Sequence, residues 1–157
     1  MDQELRREIL LDNYTNPFHK ETKTEGYISA NGNNVSCIDN INIYVKIEND
    51  IIVDAYFDGE ACAISTASTS IMLKEIIGKN IDDVKKFIDN FEAMVDEKDY
   101  DESIMKESLA FNEIYKQQSR KTCATLPYKA LLKIINNRVI SETILTGIGN
   151  FFKLVIS

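Results

Sequence analysis

Seven consecutive residues, INIYVKI (41–47), alternate without a fault: Ile41, Ile43, Val45 and Ile47 fall on one side, Asn42, Tyr44 and Lys46 on the other. A two-residue period suits a strand with one buried face, and a helix cannot use it. Asn49-Asp50 follows as a turn signal, and Ile51, Val53, Ala55 and Phe57 alternate again up to Gly59. Two such runs with so short a link predict an antiparallel hairpin with one face in the core and one largely wet. A weaker strand is predicted over residues 27–31, before a Gly32-Asn33 turn. Extended backwards from Ile41, the phase of the buried row reaches Asp39 and Cys37. An unpaired buried carboxylate costs several kcal/mol, so Asp39 requires a partner at that position, unless the phase breaks at Asn40 and leaves it in a solvated turn.

Beyond Gly59 the period lengthens. AISTASTSIMLKEIIGK reads as a helix opening just after Cys62 and closing at Gly78. IDDVKKFIDNFEAM reads as another, with Ile81, Val84, Phe87, Ile88 and Phe91 on one stripe. Residues 3–14 form a helix ahead of the strands, residues 103–117 a further one, and residues 125–136 the next, with Pro127 in its first turn. Strands followed by helices predict an α+β fold, a small antiparallel three-stranded sheet packed against four to five helices. Nothing marks a domain boundary, so residues 1–157 read as a single domain. Residues 139–157 form an atypical tail, apolar at helical spacing but weakened by Gly147 and Gly149, and are expected to fold back on the core.

The chain has 157 residues and a formal net charge of −7, with a sequence pI near 4.8. Nucleic acid and anionic membrane surfaces would repel such a domain. The acidic run over residues 82–107 reads as a solvated face. The N-terminus lacks the apolar core of a secretory signal and no stretch is long and apolar enough for a membrane span, which points to the cytoplasm and to reduced thiols.

Three cysteines, Cys37, Cys62 and Cys123, cannot all pair within one chain. Each falls at a predicted boundary, Cys37 before a strand and the other two before helices. At helix N-termini, Cys62 and Cys123 would feel the positive end of the dipole, which favours thiolate. Three thiolates and the Asp39 carboxylate would make a tetrahedral site for Zn²⁺. Three buried structural cysteines explain the same residues, and spacing alone does not separate the two readings. His19, in NPFHKE, is read as a surface residue. Glycine-rich phosphate loops are absent.

Four segments, YTNPFHKE, NVSCID, DGEACAISTASTSIM and RKTCATLPYKAL, resemble the U-type iron–sulfur assembly proteins, the SufU, IscU and NifU N-terminal family. The resemblance runs in order over residues 5–135. It is closer to SufU: the segment between Cys62 and Cys123 is long, and the histidine that IscU-type proteins place just before the last cysteine is absent from Lys121-Thr122-Cys123. Arg120 matches the arginine that SufU-type proteins carry three positions ahead. The resemblance implies a zinc site of Cys37, Asp39, Cys62 and Cys123, at which a SufS-like cysteine desulfurase docks. It implies that Cys37 takes persulfide sulfur for the downstream cluster-assembly machinery, with Arg120 stabilising a thiolate or the partner; a solvated cation is the plainer role for Arg120. A scaffold building a [2Fe–2S] cluster on the same cysteines, and a zinc-stabilised binding module that regulates a partner, are the alternatives. The family usually reads N-P-x-C-G-D where this chain has Asn34-Val35-Ser36-Cys37-Ile38-Asp39. An isoleucine at a glycine position with φ > 0 is expected to cost roughly 1 kcal/mol.

Overall fold

In the computed structural model, the backbone of residues 1–156 and the side chains of residues 1–138 are described. The chain opens on helix α1 (Gln3–Thr15), capped by Asp2, whose carboxylate accepts from the Leu5 amide. Strands β1 (Ile28–Asn33), β2 (Asn40–Glu48) and β3 (Ile51–Glu60) then form a three-stranded antiparallel sheet in the order β1-β2-β3. Helices α2 (Ala63–Ile76) and α3 (Ile81–Val95) follow, and α4 (Gln118–Ile156) ends the chain.

The hairpin is where the alternation puts it. Asn49 and Asp50 both adopt φ near +55°, at 52° and 59°, as a tight two-residue turn between twisted strands requires. Ile41, Ile43, Val45, Ile52, Ala55 and Phe57 are buried on one face; a register shift at Lys46/Ile47 buries Ile52 in place of Ile51 and Val53, which the alternation puts inside and which are exposed. α3 sets Ile81, Val84, Phe87, Ile88 and Phe91 into the same core, and Phe91 stacks on Tyr128 of α4 at 3.9 Å. The other face of the sheet is less wet than predicted: Tyr44 is buried, and residues 19–21 lie along β3, with the Phe57 amide donating to the His19 carbonyl at 3.1 Å.

Three predicted boundaries move. Gly32 and Asn33 are not a turn but the end of β1, paired with Ile41 and Asn40, so the turn falls later, over residues 34–39. Residues 103–117 are not an α-helix but three short 3-10 turns, and Lys106 at φ 49° interrupts any continuous helix there. The last helix starts at Gln118 instead of residue 125, which leaves Pro127 well inside it. α4 is helical through Ile156; the fold-back expected of residues 139–157 lies outside the described residues. Among the described residues no helix is long and apolar enough to cross a membrane.

Candidate metal centre

Three segments meet at one end of the sheet. The β1–β2 turn is closed by the Asn34 amide donating to the Asp39 carbonyl at 2.9 Å and the Cys37 amide to the Asn34 carbonyl at 3.0 Å. Asn34 folds its own side chain into the turn, accepting from the Ser36 amide at 3.2 Å. This turn ends the alternating phase at Asp39, which is fully buried, whereas Cys37, one step further out, is exposed. Ile38 is not among the residues with positive φ, and its side chain points to solvent at 65% exposure. The strain expected of an isoleucine here is therefore absent.

Cys62 arrives from the end of β3. It is the N-cap of α2, its sulfur accepting from the Ser65 amide at 3.4 Å. Gly59 makes the approach possible: it has φ 108°, and a Cβ there would sit 2.1 Å from the Asn40 carbonyl oxygen. Cys123 comes from α4 and is buried. It was expected just before a helix; because α4 starts at Gln118, it lies inside the helix, away from the free N–H groups of the first turn.

The four side chains converge. One donor atom from each of Cys37, Asp39, Cys62 and Cys123 lies within 4.8 Å of the others, so these residues could hold a metal ion. Around a tetrahedral Zn²⁺ with sulfur ligands the donors stand roughly 3.8 Å apart, so small adjustments close this set on such an ion. Asp39 has its partners: Oδ1 accepts from the Cys62 amide at 2.7 Å and Oδ2 from the Ser65 hydroxyl at 2.6 Å. Burial alone would raise its pKa, but these bonds and those of the two thiols outweigh it and hold the carboxyl below the ordinary range. Cys123 goes the other way. Burial first, then the neighbouring Asp39 and Cys62, push its thiol well above the ordinary value. The expected lowering of this thiol by a helix dipole is thus overturned. A buried thiol pressed against a carboxylate and a second sulfur is a poor thiolate alone and a good metal ligand, because a cation reverses the local field.

Arg120, exposed on the first turns of α4, lines a cavity of about 680 Å³ together with Cys37, Cys62 and Cys123. His19 takes no part. It lies on the far face of the sheet, half-buried between the rings of Phe18 and Tyr56, at 3.8 and 4.4 Å, with Nδ1 2.9 Å from the Ala55 carbonyl. It is a surface residue, as expected, though partly covered by the two rings. Lys121, beside the place where a histidine would stand in an IscU-type site, pairs with Asp96 instead.

Sequence reading missed Ser65 and Asn34. Ser65 is fully buried and touches both Asp39 and the Cys123 backbone; the side-chain Nδ2 of Asn34 lies 3.8 Å from the Cys123 sulfur. A signal was present, since a helix carrying Ser65, Thr66, Ser68, Thr69 and Ser70 has hydroxyls on every side and must bury some of them.

The sequence matches the NifU-like N terminal domain over residues 5–124. It is 38% identical over 130 residues to the zinc-dependent sulfurtransferase SufU of Bacillus subtilis, spanning 82% of this chain and 88% of that one. To the iron–sulfur cluster assembly scaffold protein IscU of Thermotoga maritima it is 32% identical over 124 residues, 79% and 87% of the two chains. A putative iron–sulfur cluster assembly scaffold protein for the SUF system from Fervidobacterium islandicum superposes with a TM-score of 0.72 at 30% identity, covering 83% of this chain and 96% of its own. A NifU-like N-terminal structure from Brucella abortus shares the fold, with a TM-score of 0.74 at 20% identity. The chain belongs to the NifU-like N-terminal domain family, as a SufU-type member.

Proposed function

We propose that this protein serves iron–sulfur cluster assembly in the cytoplasm as a zinc-dependent sulfur acceptor and carrier, charged at Cys37 by a cysteine desulfurase. One observation carries the reading: of the four converging ligands, Cys37 alone is exposed, while Asp39 and Cys123 are buried and Cys62 is half-buried. The chain therefore offers a partner one reachable thiol and keeps the others behind it. Val35 and Ile38 flank that thiol with apolar surface, 92% and 65% exposed, as a protein contact would use.

The residues available for zinc are Cys37, Asp39, Cys62 and Cys123. Zinc bound there supplies deprotonated thiolates at neutral pH with no redox chemistry of its own. The transfer is an exchange. The Cys37 thiolate attacks the terminal sulfur of the desulfurase persulfide; a new S–S bond forms at Cys37, the old one breaks, and the desulfurase cysteine leaves as thiolate. No electrons are gained or lost overall. Arg120, on the wall of the same cavity, is assigned to hold the negative charge that the exchange moves between sulfurs.

The test has two parts. Anaerobically purified protein is expected to contain about one zinc per chain and no acid-labile sulfide, the stoichiometry of a single four-ligand site. Iron with matching sulfide would instead make the protein a [2Fe–2S] scaffold. Cys37→Ala is then expected to abolish stimulation of a cysteine desulfurase; stimulation that survives would exclude sulfur acceptance at Cys37 and favour a zinc-stabilised regulatory module.

A further inference from the structure

Pro127 stands inside α4, and its ring nitrogen has no proton for the carbonyl four residues earlier, that of Cys123. Cys123 is buried, so this carbonyl cannot turn to water, and an orphaned acceptor there costs about 1–3 kcal/mol. The Ser65 hydroxyl fills the gap. It lies 2.9 Å from the Cys123 carbonyl oxygen, and one turn on in α2 Ser68 donates to the neighbouring Ala124 carbonyl at 2.6 Å, a carbonyl the proline does not open. Yet Ser65 Oγ also stands 2.6 Å from Asp39 Oδ2, and a hydroxyl has a single proton to give. One hydrogen thus serves two residues of the candidate metal centre that lie far apart in the chain. Ser65 reaches a third through its amide, which donates to the Cys62 sulfur at 3.4 Å.

We propose that Ser65 is a positioning residue of the metal centre, and that Pro127 makes it one. With an ordinary residue at 127, the helix would satisfy Cys123 by itself and Ser65 would serve Asp39 alone. With proline there, the backbone that carries Cys123 is tied through Ser65 to the same hydroxyl that holds Asp39. The registration of α4 against the start of α2 then depends on one side chain. This proposal rests on the metal reading of the site.

Zinc affinity, measured by competition with a chromogenic chelator, tests it in the wild type, Ser65→Ala, Pro127→Ala and the double variant. Ser65→Ala is expected to weaken zinc binding by about 10–100-fold, the usual effect of losing a group that orients ligands. Pro127→Ala restores a backbone proton to the Cys123 carbonyl. In that background the Ser65→Ala penalty is expected to shrink about fivefold or more, as for two residues that share one acceptor. Equal penalties in the two backgrounds overturn the proposal, and so does a Ser65→Ala variant that binds zinc like the wild type. If Ser65→Ala does not fold, the double variant must fold and bind zinc; a double variant that also stays unfolded overturns it. Wild-type protein that binds no zinc would remove the metal reading itself, whereas normal binding with additive variants removes only the role of Ser65.

Discussion

Gly59 shows how a single residue that is not a ligand controls the geometry of the sulfurs. It pairs with Ile41 at the end of the β2–β3 ladder, at φ 108°, with the Asn40 carbonyl where a side chain would begin. Asn40 follows Asp39 directly, and Cys62 lies three residues beyond Gly59. An alanine at 59 must therefore push apart the two strand ends that deliver Asp39 and Cys62. Gly59→Ala is expected to destabilise the protein by about 2–3 kcal/mol through backbone strain and the clash together. Zinc affinity is expected to fall as well. Urea unfolding and chelator competition check both; wild-type values for either would show that the sheet end yields without moving the ligands. Ile38→Gly makes the contrast. Ile38 is unstrained and exposed, so that change is expected to alter stability by no more than about 0.5 kcal/mol.

At the scale of elements, the outer face of the sheet carries a polar network with a pH signature. Asp58 on β3 accepts from Thr22 at 2.6 Å, Asn42 at 2.9 Å and Tyr44 at 2.7 Å. Burial alone would raise its pKa, but the three donors outweigh it and hold the carboxyl below its ordinary range. Burial first, then Asp58, push Tyr44 up to about 12. A lowered carboxyl stabilises the fold above its unfolded value, near 4, and that share is lost as pH falls through the folded value. A raised phenol stabilises it below about 10, and that share is lost as pH climbs towards 12. Asp58→Asn is expected to cost about 1 kcal/mol at neutral pH and to flatten the acid limb of stability against pH. An unchanged acid limb in urea titrations would show that other carboxyls set it.

The same scale shows what could be read from the sequence. The hairpin was legible because period-2 burial and a two-residue turn leave few other solutions, and α3 because its apolar stripe is clean. Asp39 was legible as buried only if the strand phase carries back past Asn40, and the same phase also put Cys37 inside, where the turn leaves it exposed. The turns over residues 103–117 were not, since apolar spacing there resembles a helix and only the left-handed Lys106 breaks it. The start of α4 was missed for a related reason. Proline ordinarily marks a first helical turn, and here it sits in the interior with a hydroxyl on α2 supplying the carbonyl it leaves open. That compensation is made by a different helix, and no local window contains it.

For the whole molecule, the centre joins parts that are otherwise held together mainly by the core. The β1–β2 turn, the start of α2 and the buried length of α4 contribute one ligand or more each, and Asp39 and Cys123 are separated by most of the described chain. An unfolded chain cannot present these four groups together, so zinc held among them would bind the folded state and stabilise it by mass action, by about 2.7 kcal/mol at a hundred times its dissociation constant. For a domain of this size that corresponds to a rise in melting temperature of about 5–10 °C. Scanning calorimetry with added zinc, and after removal with a chelator, should show that gap. Cys37→Ser separates the metal from the packing. Cys37 is exposed and contributes little to the core, so the metal-free variant should melt with the metal-free wild type, while the zinc-dependent rise shrinks. A metal-free variant that melts well below metal-free wild type would mean that Cys37 stabilises the turn by itself. Zinc bound at full stoichiometry with no change in melting would place the ion somewhere other than among these four side chains.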